Sequence, residues 1–251
     1  MVVIDIHLEG IERRNFLRSD RTRLLREILY RNVPVVLSLP PWMEDYWNRK
    51  DSKVIDLVSE IVSRDGNVLG QQGNTHKCPR EHVLVDPWHE NYCIWRGGLS
   101  EEQQRELMET GRERLEKLIG VKPMLYVPPN HQSDWTTLRV ANKMGYWYMV
   151  DKAMIPLRPY ASGNLIVVPE GDLRREDMRS AATYIHYDEI DRHRVYYSEA
   201  VRAAQPVAEI EAQPVSGLRI AINSALKYSS KAARDIVRMP GRVRNLRGDN
   251  F

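Results

Sequence analysis

The chain has only two cysteines, Cys78 and Cys93, in 251 residues. That excludes a framework of disulfides as the source of its stability. It also lacks any apolar run approaching the roughly 20 residues that a bilayer-spanning helix requires. No low-complexity tract, internal repeat or convincing linker interrupts it. Strong charge of one sign is missing too. A formal net charge of +3 gives no electrostatic case for a nucleic-acid partner, and none is expected. Met1-Val2-Val3-Ile4-Asp5 enters an apolar run at once, without a basic start or a small-residue cleavage site. The expectation is therefore a cytoplasmic protein without a signal peptide.

What is present is the composition of a folded domain, 42% hydrophobic and 28% charged, in a chain long enough to bury a substantial core. Hydrophobic periodicity predicts a strand over residues 2–7 and a helix near 20–31, with Leu24, Leu25, Ile28 and Leu29 on one face. A buried strand over 33–39 ends at Pro40-Pro41. Ser52 caps a helix carrying Val54, Ile55, Val58, Ile61 and Val62, with Gly66 past its end. A short strand over 67–70 follows, then an irregular stretch from 77 to 98. Ser100 and Gln103 form a capping box for a helix that stops at Gly120. A strand over 124–127 precedes a helix capped by Ser133 or Asp134 and closed by Gly145. Further strands are expected over 146–150, 164–168 and 182–186. This alternation predicts an α/β fold with a mostly parallel sheet, open or closed into a barrel. The division expected is a domain over 1–216 and a basic C-terminal helix and tail over 217–251.

Polar residues gather at the carboxyl ends of these strands, where such folds form their sites. Strand one ends in Asp5-Ile6-His7, and the period of two puts Asp5 and His7 on the same face. Gln72 and His76 follow the third strand, Pro128-Pro129-Asn130 the next, then Asp151 and finally His186. Two carboxylates and several imidazoles on one rim can hold a divalent cation and supply an acid and a base.

The order of segments resembles the polysaccharide deacetylase family of metal-dependent carbohydrate deacetylases. Gly66-Asn67-Val68-Leu69-Gly70-Gln71-Gln72-Gly73-Asn74-Thr75-His76 is similar to its second motif, a Gly-x-x-x-Gly strand leading to two histidines four residues apart. Tyr126-Val127-Pro128-Pro129-Asn130 and Met144-Gly145-Tyr146 leading to Asp151 match its third and fourth motifs. Ile185-His186 matches its final Leu-x-His element. The resemblance covers roughly residues 1–190 and implies a distorted (β/α) barrel that hydrolyses an N- or O-acetyl group on a sugar or lipid-linked glycan. It implies a divalent metal, zinc, at His7, His76 and the Gln72 position. Asp5 would be the base and His186 the acid, with Asp151 beside them. A backbone amide near Asn130 would steady the oxyanion, with Pro129 and Trp95 against the sugar. Three departures stand out: Ile6 replaces the second aspartate of the first motif, Gln72 replaces the first histidine of the second, and the third lacks its leading arginine. Three readings follow: metal held by Asp5, His7 and His76, metal-free hydrolysis of an amide, or a catalytically inactive glycan-binding domain.

Two further features have competing explanations. Cys78, His82, His89 and Cys93 offer four zinc-type ligands in the irregular loop, yet their spacing matches no common zinc pattern, and ordinary loop residues are the commoner outcome. Trp88, Tyr92 and Trp95 in the same loop can stack on a sugar or bury the loop. After Gly217, Leu218, Ala221, Ile222, Ala225, Leu226, Ala232, Ile236 and Val237 form an apolar stripe beside lysines and arginines. Such a helix can lie on an anionic membrane or pack on the barrel. The sequence leaves the oligomeric state open.

Overall fold

The strands read from the sequence close on themselves. The computed structural model describes residues 3–8, 23–42, 52–75, 90, 92–93, 97–152, 158–172, 182–186, 194–213 and 218–229. The barrel strands are β1 (Val3–His7), β2 (Val36–Leu39), β3 (Val68–Gln72), β6 (Leu125–Val127), β7 (Tyr148–Lys152), β9 (Leu165–Asp172) and β10 (Ala182–His186). They pair in the order β10-β1-β2-β3-β6-β7-β9, and β9 returns to β10. All seven pairings are parallel. Between β3 and β6 lie two short paired segments, β4 (Tyr92–Cys93) and β5 (Gly97–Gly98). β8 (Tyr160–Ser162) adds to β9 antiparallel, outside the closed ring.

Register decides which residues face inward, because paired residues in a parallel sheet point to the same side. Starting from Val3, Asp5 and His7, the pairings carry the same face around the ring. It runs through Val36 and Ser38, Val68, Gly70 and Gln72, Leu125 and Val127, and Tyr148, Val150 and Lys152. It continues through Ile166, Val168 and Glu170 to Ala182, Tyr184 and His186. The amino-end layers of this interior are apolar and form one cluster of Val3, Val36, Leu125, Val127, Tyr148, Val150, Val168 and Ala182. Burying each such aliphatic side chain contributes about 1.5–3 kcal/mol. The carboxyl-end layer is polar, and that layer is the candidate site.

The opposite faces of the strands meet the helices. Ile4, Ile6, Leu37, Leu39, Leu69 and Ile185 pack with Leu25 and Ile28 of α1 (Arg23–Arg31) and Val54, Val58, Ile61 and Val62 of α2 (Ser52–Val62). α3 (Glu101–Ile119) has the expected capping box of Ser100 and Gln103, and it ends at Gly120 with φ 80°. α4 (Trp135–Lys143) is capped by Asp134, whose side chain accepts from the Thr137 amide. α5 (Arg194–Ala203) buries Tyr197 and Ala200. A last described helix covers 218–229. Among the described residues, no helix is long and apolar enough to cross a membrane.

Candidate active site

The polar layer is built on β1. Asp5 and His7 are 0% and 1% exposed, so each must be satisfied from within the barrel. The Ser38 hydroxyl, from β2, donates to Asp5 Oδ1 at 2.6 Å. This close approach depends on Gly70 in β3, where a Cβ would fall 2.4 Å from the Ser38 Oγ. His7 Nε2 faces Asp5 Oδ2 at 3.3 Å, and its Nδ1 faces the Gln72 Nε2 at 3.2 Å. One tautomer serves both contacts, with Nδ1 accepting and Nε2–H donating. The ring also lies against Tyr184 and His186 of β10, with centroids at 5.2 and 5.6 Å.

Glu170 of β9 enters the same layer and is wholly buried. Its Oε1 lies 3.9 Å from His7 Nε2, its Oε2 3.2 Å from His131 Nδ1. Neither oxygen is aligned for a hydrogen bond. Burial, together with the negative charges of Asp5 and Asp151, pushes its carboxyl well above the usual range, against the opposing pull of Lys152. Two buried carboxylates facing one imidazole demand a positive partner, either a proton or a cation. Asp5, His7 and Glu170 each offer a ligand atom, and these atoms lie within 4.8 Å of one another. Their chemistry fits a divalent cation, since one imidazole and two carboxylates make a three-ligand set that leaves positions open. Gln72 would then act from behind. Its amide can present either nitrogen or oxygen to Nδ1, so it can orient the ring in the protonation state that Nε2 ligation needs.

The loop after β6 supplies the next wall. Pro129–His131 makes a single 3-10 turn in which Asn130 and His131 both take φ of 53°. Two successive non-glycine residues in that region are strained by about 1–3 kcal/mol each, a cost often stored at functional sites. The turn spends two amides internally, His131 N–H on the Pro128 carbonyl and Gln132 N–H on the Pro129 carbonyl. These two are therefore not oxyanion donors. Pro129 is buried against Gly73, where a Cβ would fall 2.3 Å from its Cγ. The strained turn delivers the His131 ring to 4.7 Å from Tyr184 and 5.8 Å from His7. Burial, and then the neighbouring charges of His7, Lys152, Lys227 and His186, hold His131 well below the ordinary imidazole value. It is neutral at physiological pH.

β7 ends at Lys152, two residues beyond the expected strand, and this changes which side chain faces the barrel. Lys152 continues the inward set of Tyr148 and Val150, and its Nζ lies 5.9 Å from the Tyr184 ring centroid. Asp151 belongs to the outward set. Its carboxylate accepts from the Ser133 hydroxyl at 2.9 Å and from the Lys152 amide at 2.9 Å. Both oxygens also meet Lys227 Nζ, at 2.7 and 2.9 Å. Lys227 is 6% exposed and comes from the helix over 218–229. The adjacent Tyr228 hydroxyl donates to the Ser133 carbonyl.

Of the residues singled out from the sequence, the structure therefore brings Asp5, His7, Gln72 and His186 together. It places Asp151 on the outer side of the same rim and Pro129 in a packed turn. His76 and Trp95 lie outside the described residues, as do Cys78, His82 and His89 and the side chain of Cys93. The sequence reading missed Glu170, His131, Ser38, Tyr184, Lys152 and Lys227. Ser38 had a visible signal, a lone hydroxyl inside Val35-Val36-Leu37-Ser38-Leu39. Glu170 was hidden by Pro169, which reads as the end of a strand. In the structure Pro169 falls in a gap on one edge of β9, between Val167, the last residue paired to β8, and Glu170, the first paired to β10.

Solved structures share this architecture at low sequence identity. A putative polysaccharide deacetylase from Mycobacterium smegmatis matches with a TM-score of 0.50 and 15% identity, over 91% of this chain and 92% of its own. Puue allantoinase matches with a TM-score of 0.51 and 13% identity, over 88% of this chain and 89% of that one. A CE4 family pseudoenzyme from Bacillus anthracis gives 0.51 and 12% identity over 84% of this chain, which spans 64% of that longer one. No protein-family model and no curated protein matches the sequence. The closed barrel of seven parallel strands is the (β/α)-barrel fold of the polysaccharide deacetylases.

Proposed function

We propose that this chain is a metal-dependent hydrolase that removes an acetyl group from a sugar, free or lipid-linked. One observation carries the reading. Glu170, Asp5 and His7 converge, wholly buried, on the carboxyl-end layer of a barrel whose solved counterparts include a putative polysaccharide deacetylase. Asp5, His7 and Glu170 hold the cation, with Ser38 and Gln72 fixing the first two. A divalent cation such as zinc supplies Lewis acidity toward a carbonyl oxygen and lowers the pKa of a water. His131, kept neutral by burial, takes up the proton of the attacking water at a ring nitrogen. His186, half-buried at the mouth, returns a proton to the departing amine or hydroxyl. Asp5 therefore serves as ligand, and the base falls to His131. Asp151 positions the rim through Ser133 and Lys227 without touching the reacting atoms.

The position of Gln72 favours a second reading, a glycan-binding domain without turnover. An amide that contacts His7 stands where the family resemblance implies an imidazole. One experiment separates the two. Zinc content is measured by mass spectrometry, and acetate release is measured on an acetylated chitooligosaccharide, for the native chain, His131→Ala and His7→Ala. The hydrolase reading expects about one equivalent of metal and measurable acetate, with turnover lost in His131→Ala while metal is retained. Metal and oligosaccharide binding without acetate would move the assignment to glycan binding. No metal after zinc loading would remove the metal-dependent hydrolase reading.

A further inference from the structure

The helix over 218–229 has two faces with different fates. Its inner face carries Asn223 and Lys227, 8% and 6% exposed, and Lys227 and Tyr228 fasten it to Asp151 and Ser133 at the carboxyl-end rim. Its outer face carries Leu218, Ile222 and Leu226, at 70%, 44% and 43% exposure. Spaced four apart, these three form a stripe along one side, with the exposed Ala225 between them. Contiguous exposed aliphatics on a helix already pinned by its other face need a reason. Charge in the adjoining chain supplies one. Residues 230–251 carry Lys231, Arg234, Arg238, Arg242, Arg244 and Arg247 against Asp235 and Asp249. An apolar stripe adjoining six basic residues and two acidic ones matches the chemistry of an anionic lipid surface, with apolar contact at acyl depth and cations among headgroups. A protein partner would match both features only if it set acidic residues beside an apolar groove, whereas an anionic bilayer presents both everywhere on its surface.

We propose that the outer face of this helix, with the basic segment after it, docks the protein on an anionic membrane. Because the inner face is fastened to Asp151 and Ser133, docking holds that part of the carboxyl-end rim near the bilayer. The inference does not depend on the reaction, and its test uses no turnover.

The full chain is sedimented with vesicles of phosphatidylcholine alone and of phosphatidylcholine with phosphatidylserine, at low and at physiological salt. Two variants accompany it: Leu218→Asp with Ile222→Asp, and Arg234→Glu with Arg238→Glu. Neither alters a residue of the Asp5, His7 and Glu170 cluster, and unchanged melting shows that each folds. The native chain is expected to bind the anionic vesicles at least about tenfold better than the neutral ones, more weakly as salt rises. Each variant is expected to lose about tenfold or more. Failure to sediment with anionic vesicles at low salt overturns the proposal, as does binding that the Leu218 and Ile222 substitutions leave intact. A concentration-dependent dimer seen by light scattering and abolished by those same substitutions overturns it too, since the stripe would then belong to a second copy.

Discussion

Replacing Glu170 by glutamine tests the central feature of the site, a buried carboxylate without a hydrogen bond. In the metal-free protein Glu170 faces Asp5, and its nearest partners are imidazole nitrogens at 3.2 and 3.9 Å. A buried ion without a full complement of partners costs several kcal/mol, whereas a buried amide costs about 1–3 kcal/mol before any pairing with His131. Glu170→Gln is thus expected to stabilise the metal-free chain by about 1–3 kcal/mol, or about 3–10 °C in melting temperature for a domain of this size. The sign of the pH dependence follows from the raised carboxyl. A group that holds its proton more tightly when folded contributes stability below the unfolded carboxyl value and loses it as pH rises through the folded one. The gain from Glu170→Gln should therefore shrink as pH falls toward the ordinary carboxylate range. Zinc should reverse the order. At 100 times its dissociation constant a ligand adds about 2.7 kcal/mol to the native state, and the variant, with one ligand gone, should gain far less. Calorimetry in chelator and in excess zinc, at neutral and mildly acid pH, reads all three effects. A metal-free variant that melts below the native protein would refute the argument. Equal zinc shifts in the two proteins would remove Glu170 from the cation site.

Gln72→Met removes the contact to His7 Nδ1 and should weaken zinc binding by about 10–100-fold while leaving binding measurable; competition against a colorimetric chelator would show it. Ser38→Ala deletes the 2.6 Å donor to Asp5 and should cost about 1–3 kcal/mol in denaturant unfolding of the metal-free protein. Lys227→Met breaks a pair whose carboxylate keeps 22% exposure, so a cost of about 1–3 kcal/mol is expected, below that of a fully buried pair. Adding Asp151→Asn should recover part of that loss in a double-mutant cycle. Gly73→Ala places a methyl on a residue with φ of 60° and 2.3 Å from the Pro129 Cγ. It should destabilise by about 2–4 kcal/mol and displace the turn that carries His131.

Much of the barrel was legible because its strands obey simple rules. Buried parallel strands read as apolar runs, and Val35-Val36-Leu37 and Leu125-Tyr126-Val127 do so. The helix caps of α3 were equally plain, Ser100 with Gln103 and Gly120 just past its end, and of the two caps open for α4 the structure uses Asp134, paired with Thr137. The boundaries were less secure. β2 and β7 begin later than their apolar runs, and β7 extends to Lys152, because strand limits are set by pairing partners rather than by local composition. β8 was missed because three residues carry too little pattern to stand out.

The site was half legible for a related reason. Asp5 and His7 announce themselves through alternation alone, since a polar pair at period two on an otherwise apolar strand must share the barrel interior. Lys152 follows the same rule once the end of β7 is known, and the rule then puts Asp151 on the other face. Chain order alone suggested a place in the reaction for Asp151, whereas the register turns its carboxylate toward Ser133 and Lys227. Glu170 required knowing that a strand can run through Pro169 where neither β8 nor β10 pairs on that edge. His131 required a left-handed turn that no glycine advertises. Lys227 lies 76 positions from the carboxylate it meets, a separation at which no local pattern carries information. The residues that escaped the sequence reading are thus those placed by closure of the barrel and docking of the last helix. Closure is also what creates the chemistry: β9 beside β10 beside β1 sets Glu170, Tyr184 and His7 around one point, and in an open sheet Glu170 and Tyr184 would stand on opposite sides of the break. Any substitution that loosens the β9–β10 pairing should therefore release metal before it unfolds the helices, because the cluster depends on that single seam.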